Sequence, residues 1–258
     1  MEKAGKYIYC LIKTGQERNF GNIGIGGGMG GGDNEVATAG LGDLAMVVSN
    51  SYKSKYPVSR ENLFAHQRVV EEVMKEFTVL PVRFCTIAPG AENIRNLLER
   101  REKEFKALFR QMEFKIELGV KAIWKDMDSI FREIAEEDKE IAGLRRKISR
   151  DGRNSVQAKM ELGRMVERAL SGKKESESDA IMSVLKRAAF DWKLGRASND
   201  KMIMNASFLV DKAREKEFDN LVEDFSENHR ERIKFMYAGP LPPYNFVSVI
   251  IHPEEWEM

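Results

Sequence analysis

The chain has 258 residues, of which 42% are apolar and 32% charged, and its 42 basic and 41 acidic side chains leave a net charge of +1. That apolar share supports a real core, and the length allows one large domain or two of ordinary size. The charge balance excludes a nucleic-acid binder that relies on counterion release, and two cysteines, Cys10 and Cys85, exclude a disulfide framework.

From the N-terminus, "KYIYCLI" (6–12) is short and rich in β-formers, so it predicts a buried strand. The glycine-rich stretch 21–34 predicts a flexible loop. "EVATAG" and "LAMVVS" read as a strand pair turning at Gly40, Gly42 and Asp43. Ser59 is the expected N-cap of a helix whose apolar face is Leu63, Val70, Val73 and Phe77. "TVLPVRFCTI" carries Pro81 inside an extended run, which predicts an edge strand or one that starts after the proline. A second helix is expected over 91–111, with Ile94, Leu97, Leu98, Phe105 and Leu108 inward, and "MEFKIELGVKAIW" reads as a strand.

The middle, 126–195, contains no proline and balances many acidic against many basic residues. Two apolar stripes, Ile130, Ile134, Ile141, Ile148 and then Val184, Leu185, Ala188, Ala189, Trp192, predict two or three long helices. Breaks are expected near Asp151–Gly152 and Ser171–Gly172. "KMIMNASFLV" then predicts a strand, and Asp211 caps a further helix. "RIKFMYAG" and "YNFVSVII" read as two strands joined through the proline-rich "GPLPPY". The expected architecture is α+β: a domain over 1–112 and a second over 113–258 that includes the charged helical segment 126–195.

Chemistry-bearing patterns are sparse. Residues Gly26 to Gly31 spell GxGxxG, but the next residues, "DNEVATAG", read as turn and strand rather than the helix a dinucleotide site needs. His66, His229 and His252 lie on separate elements without metal-ligand spacing, and His66 is expected on the helix surface. Cys85 paired with His66 as nucleophile and base is the enzyme alternative, and a buried structural thiol is the plainer reading. Pro240 and Pro243 make a formal PxxP, read here as a constrained connection rather than a polyproline ligand. No catalytic, cofactor or metal residue is assigned. Two cysteines without partners, no apolar leader and no run near the ~20 apolar residues of a membrane span point to a cytoplasmic protein.

Taken in order, "YIYCLI", "NLFAHQRVVEEV", "VLPVRFCTI", "MEFKIELGVKAIW", "NASFLV" and "GPLPPYNFV" resemble the GvpL/GvpF family of gas vesicle proteins over residues 6–250. Leu80, Pro81, Arg83 and Phe84, with Gly239, Pro240, Pro242, Pro243 and Tyr244, carry the most specific part of that resemblance. One departure stands out: the family usually has glycine where this chain has Cys85. The resemblance implies a ferredoxin-like N-terminal unit, no enzymatic activity, and a location in the cytoplasm at gas vesicles. It also implies an accessory or minor structural role, with the hydrophobic shell protein GvpA or other gas vesicle proteins as partners. Under that role the motif residues are structural or partner-binding. Arg83, if buried, needs a carboxylate or carbonyl partner, and the Tyr244 hydroxyl is expected to pin the corner. A nucleotide-binding or thiol-dependent enzyme using the glycine loop and Cys85 is the rival, and a scaffold that self-associates through its helices is a third reading.

Overall fold

Alternating and continuous apolar runs become two sheets. The computed structural model describes residues 4–26, 34–150 and 156–256. Its strands are β1 (Gly5–Lys13), β2 (Asn19–Gly21), β3 (Val36–Leu41), β4 (Leu44–Ser51), β5 (Val79–Ala88), β6 (Lys115–Trp124), β7 (Asp191–Leu194), β8 (Met202–Asp211) and β9 (Ile233–Leu241). Its helices are α1 (Arg60–Met74), α2 (Ala91–Arg100), α3 (Glu102–Met112), α4 (Met127–Glu137), α5 (Lys139–Arg150), α6 (Val156–Leu185) and α7 (Glu215–Asn228). The chain divides into one unit of Met1–Glu117 with Gly239–Met258, and another of Leu118–Ala238. This grouping differs from the expected second domain, 113–258, at its C-terminal end, where residues 239–256 group with the first unit.

In the first unit the sheet order is β2-β3-β4-β1-β5, and β1 runs antiparallel to both neighbours. Tyr7 to Ile12 are all buried, as are Leu44 to Ser49 of β4, so both faces of the sheet are covered. On one face α1 contributes His66, Val69, Val70 and Val73. Ile94, Leu97 and Leu98 of α2 and Phe105 and Phe109 of α3 are also buried, and these helices pack on β3, β4 and β5. The single helix expected over 91–111 is thus two, broken at Arg101, where the backbone leaves the helical region. Ser59 caps α1 as expected, its Oγ accepting from Asn62 N–H at 3.2 Å. Gly42, at φ +63°, makes the β3–β4 turn, a conformation that costs a residue with a Cβ about 1–2 kcal/mol. The element order matches β-α-β-β-α-β except after β1, where β2 stands in place of a helix, and α2 and α3 follow β5.

In the second unit the sheet order is β7-β8-β6-β9. Helix α6 packs on β8, α4, α5 and α7. The Ser171–Gly172 break does not occur, since α6 runs through it; a mid-helix glycine costs only about 1 kcal/mol, which the burial of Leu170, Ile181, Met182 and Leu185 outweighs. The Asp151–Gly152 break lies outside the described residues. Another break falls at Asp138, whose Oδ1 accepts from the N–H groups of Glu140 and Ile141 at 2.9 and 3.1 Å and so starts α5. Trp192 belongs to β7 rather than to a helical stripe. Arg232 is paired with Glu133 and lies 2.7 Å from Glu177, which also accepts from the Trp124 indole at 2.7 Å.

Candidate functional site

The two most diagnostic sequence segments meet at an irregularity in β5. On β1 the paired residues step from Ile8 to Cys10, while on β5 they step from Thr86 to Pro81. One residue of β1, Tyr9, thus opposes four of β5, Val82 to Cys85, and the ladder opens there into a wide bulge. Cys85 closes the bulge at φ +65°, the left-handed region that favours glycine. This geometry gives a physical reason for glycine at that position.

An open bulge leaves backbone groups that must find partners inside the protein. Cys85 N–H donates to the Tyr7 hydroxyl at 3.1 Å, and the Tyr7 oxygen lies 3.0 Å from His66 Nδ1. The Tyr7 hydroxyl accepts from Cys85 N–H and keeps its own proton to donate to Nδ1 of a neutral imidazole. His66 is therefore a buried neutral link from α1 to β1 and β5, not the surface residue expected, and burial holds its pKa down at about 4. Desolvation pushes the Tyr9 hydroxyl up to about 12, and the Tyr7 and Cys10 groups still higher. Tyr9 accepts from Ile25 N–H at 2.7 Å and shares a hydrogen bond with Ser49 at 2.8 Å, anchoring the first part of the glycine-rich stretch. The Cys85 thiol accepts from Tyr56 N–H at 3.1 Å. Cys85 and His66 thus both meet the Tyr7 hydroxyl, Cys85 through its backbone N–H and not its sulfur, and no nucleophile–base pair is formed between them. Most of the GxGxxG, residues 27–31, lies outside the described residues; β3 comes after it, as read from the sequence.

The C-terminal residues lie along the outer edge of β5. The expected strand "YNFVSVII" does not form. Instead Tyr244 N–H donates to Pro242 O at 2.7 Å, Phe246 and Val247 N–H donate to Pro243 O at 3.0 and 2.9 Å, and only Val249 bridges, in parallel, to Val82. Val249 N–H donates to Pro81 O, and Arg83 N–H to Val249 O, at 2.9 and 3.1 Å. Since the Pro81 carbonyl points to this outer edge, its ring nitrogen does too, and β1 loses no donor. The strap gives β5 a partner on a side that would otherwise be an open edge. Further along, Arg101 Nη1 donates to Ile250 O at 2.9 Å and meets Glu255 at 3.3 Å, and Asn93 donates to Trp256 O at 3.0 Å.

At its start the strap is held by a buried carboxylate, Glu117, which accepts from Asn245 N–H at 2.8 Å and from the Asn245 side-chain amide. Sequence reasoning missed this pair, because a charged residue alternating with Ile116 and Leu118 reads as solvent-facing. The expected pin, the Tyr244 hydroxyl, gives way to Asn245. Leu80, Pro242 and Pro243 are buried, Phe84 is half-buried, and Arg83 projects into solvent while its backbone carries the strap. Gly239 adopts φ +146° before a cis peptide bond to Pro240. Leu80, Pro81, Arg83 and Phe84 are thus joined to the strap through Val249, while Gly239, Pro240, Pro242, Pro243 and Tyr244 form its beginning.

Several large apolar side chains of this unit are exposed. Tyr52, Val58 (80% exposed) and Phe64 (54% exposed) stand out along the β4–α1 connection and the first turns of α1. Leu63, expected to face inward, is 42% exposed. The Arg60 guanidinium lies 5.2 Å from the Phe64 ring centroid, leaving much of that ring to solvent. A groove beside Phe64 is lined by Asn22, Ile23, Lys53, Ala65 and Arg68. Among the described residues no group of acidic, histidine and cysteine side chains could hold a metal ion, and no helix is long and apolar enough to cross a membrane.

A sequence profile described as Gas vesicle synthesis protein GvpL/GvpF matches residues 5–248. The chain belongs to the GvpL/GvpF family. Among relatives, "Gas vesicle protein F" of a Streptomyces species is 30% identical over 86% of this chain and 92% of the relative. "Gas vesicle protein F" of a Nostoc species is 26% identical over 80% and 85%. The fold is that of crystallised GvpF from an Anabaena species, at TM-score 0.82 and 23% identity, covering 96% of this chain and all of that one. GvpF from Microcystis aeruginosa gives TM-score 0.73 at 24% identity over 94% and 98%. The bulge at Cys85 and the strap from Gly239 thus sit in a GvpL/GvpF protein, a family named for gas vesicles rather than for an enzymatic reaction.

Proposed function

We propose that this chain acts in gas vesicle formation as an accessory or minor structural protein that binds the hydrophobic shell protein GvpA before or during wall growth. The carrying observation is the exposed apolar stretch Tyr52, Val58, Leu63 and Phe64 on the first unit. Large apolar side chains exposed along the β4–α1 connection and the first turns of α1 are a surface that gains from being covered, and an unassembled shell subunit exposes apolar surface of its own. The many exposed charges of α4, α5 and α6 keep such a complex in solution. Other gas vesicle proteins are partners of the same class, and the place of action is the cytoplasm, at the vesicle.

In this reading the motif residues Leu80, Pro81, Arg83, Phe84, Gly239, Pro240, Pro242, Pro243 and Tyr244 act indirectly. They build the bulge and the strap that hold α1 and its exposed face. The thiol-enzyme alternative finds less support, since Cys85 and His66 are both engaged with Tyr7.

The test is binding of the purified full chain to separately expressed shell protein, with Val58→Ser and Phe64→Ser beside the wild type. Both side chains are exposed, so the variants should fold normally and bind at least about tenfold more weakly, as hot-spot truncations do. Unchanged binding would move the contact away from α1. Absence of binding by the wild type would remove the shell protein as partner.

A further inference from the structure

The β7 edge of the second unit's sheet carries a self-complementary pattern. Among the described residues strand β7 pairs only with β8, at Asp191↔Leu209, Trp192↔Phe208, Lys193↔Ser207 and Leu194↔Ala206. Phe208 and Ala206 are buried, so Trp192 and Leu194, opposite them, lie on the face of the sheet that forms the core. Yet Phe190, Trp192 and Leu194 are 68%, 40% and 62% exposed. Trp192 and Leu194 therefore extend the core-side face into solvent, and Phe190 stands exposed just before the strand.

Read outward from Trp192, the sequence Phe190-Asp191-Trp192-Lys193-Leu194 is symmetric in chemistry: apolar, acid, aromatic, base, apolar. The geometry points to a second copy of this chain as the partner of β7, paired antiparallel about a twofold axis at Trp192. In that register Trp192 faces the second copy's own residue of the same number and Asp191 faces Lys193, twice over, with Phe190 and Leu194 at the two ends of the contact. Within β7, Trp192 and Leu194 share one face and Asp191 and Lys193 the other, as a strand requires; Phe190 precedes the strand, its N–H donating to Leu209 O at 2.7 Å. Two copies would thereby join their four-stranded sheets into one of eight.

The backbone agrees. Gly195 N–H donates to Asn205 O at 2.7 Å, so by the two-residue repeat of an antiparallel ladder the Trp192 N–H points away from β8. It is now taken by the side chain of Asp191 at 2.8 Å. Pairing exchanges that local bond for one to the second Trp192 carbonyl, and releases the Asp191 carboxylate to face Lys193 across the axis. Lys186, 4.4 Å from the Trp192 ring centroid, covers one side of the indole and leaves the strand edge open. An edge with exposed apolar side chains and opposite charges in register favours a matching strand over an unrelated one.

The test is the solution mass of the full chain by sedimentation across a concentration series, for the wild type, Asp191→Lys, Lys193→Asp and the double exchange Asp191→Lys/Lys193→Asp. Both positions changed are exposed, and circular dichroism checks the fold. A concentration-dependent dimer is expected for the wild type. Each single variant turns two attractive cross-strand pairs into repulsive ones and should weaken it about tenfold. The double exchange restores the pattern in reverse and should restore the dimer. A wild type that stays monomeric overturns the inference, as does a dimer insensitive to all three variants. If the wild type is monomeric and the single variants lose binding to shell protein instead, the edge belongs to that protein and not to a second copy.

Discussion

His66 should make the first unit sensitive to mild acid. Burial between α1 and the bulged strand holds its pKa at about 4, against the ordinary 6.5 that it regains on unfolding. Above pH 6.5 the imidazole is neutral in both states and adds no pH dependence. Between pH 6.5 and pH 4 the unfolded chain binds a proton that the folded chain refuses, so stability falls as pH falls. The gap of about 2.5 in pKa corresponds to roughly 3 kcal/mol in full, of which about 2 kcal/mol is already lost at pH 5. His66→Gln keeps an acceptor for the Tyr7 hydroxyl and cannot titrate. Hydrogen exchange of the buried β1 amides, which reports opening of this unit, is the assay. Protection in the wild type should fall by about 2 kcal/mol more than in His66→Gln between about pH 7 and about pH 5, with carboxylate titration cancelling in the comparison. Parallel pH profiles for the two proteins would refute a buried neutral His66.

The left-handed conformation of Cys85 predicts an inverted size series. Cys85→Gly should leave thermal stability within about 1 kcal/mol of wild type, relief of backbone strain offsetting the lost thiol and added chain entropy, whereas Cys85→Val should cost about 2 kcal/mol or more. Removing the strap's anchor by Glu117→Ala takes the shared acceptor from the Asn245 N–H and side-chain amide and should cost about 1–2 kcal/mol, read in urea unfolding; a double-mutant cycle with Asn245→Ala should show coupling above about 1 kcal/mol, and additive effects would mean the pair is not holding the strap. Pro242→Ala and Pro243→Ala should each cost about 1 kcal/mol through chain freedom and lost burial, while changing shell-protein affinity little. The reverse ranking would make "GPLPPY" a docking loop.

Much of this protein was legible without coordinates, because local rules decided it. The β-rich start, the Ser59 cap, the β3–β4 turn and the amphipathic helices come from spacing and capping chemistry that act within a few residues. Pro81 marked an edge strand for the same reason, since a missing donor is tolerated only where no neighbour needs it. What failed was longer in range. Nothing near Val249 in sequence indicates that it bridges to Val82, so "YNFVSVII" read as an ordinary strand. His66 read as a surface residue and Glu117 went unmarked, because their partners, Tyr7 and Asn245, lie 59 and 128 positions away. The exposed Leu63 fell on a correct helical stripe, but which turns of that stripe are covered depends on where the sheet beneath it ends. Composition and short-range pattern determined the elements and, through the resemblance, the family. Only the tertiary structure decided the bulge, the strap and the uncovered surfaces, because a buried polar group is satisfied by whatever folding brings beside it, and sequence distance places no limit on that.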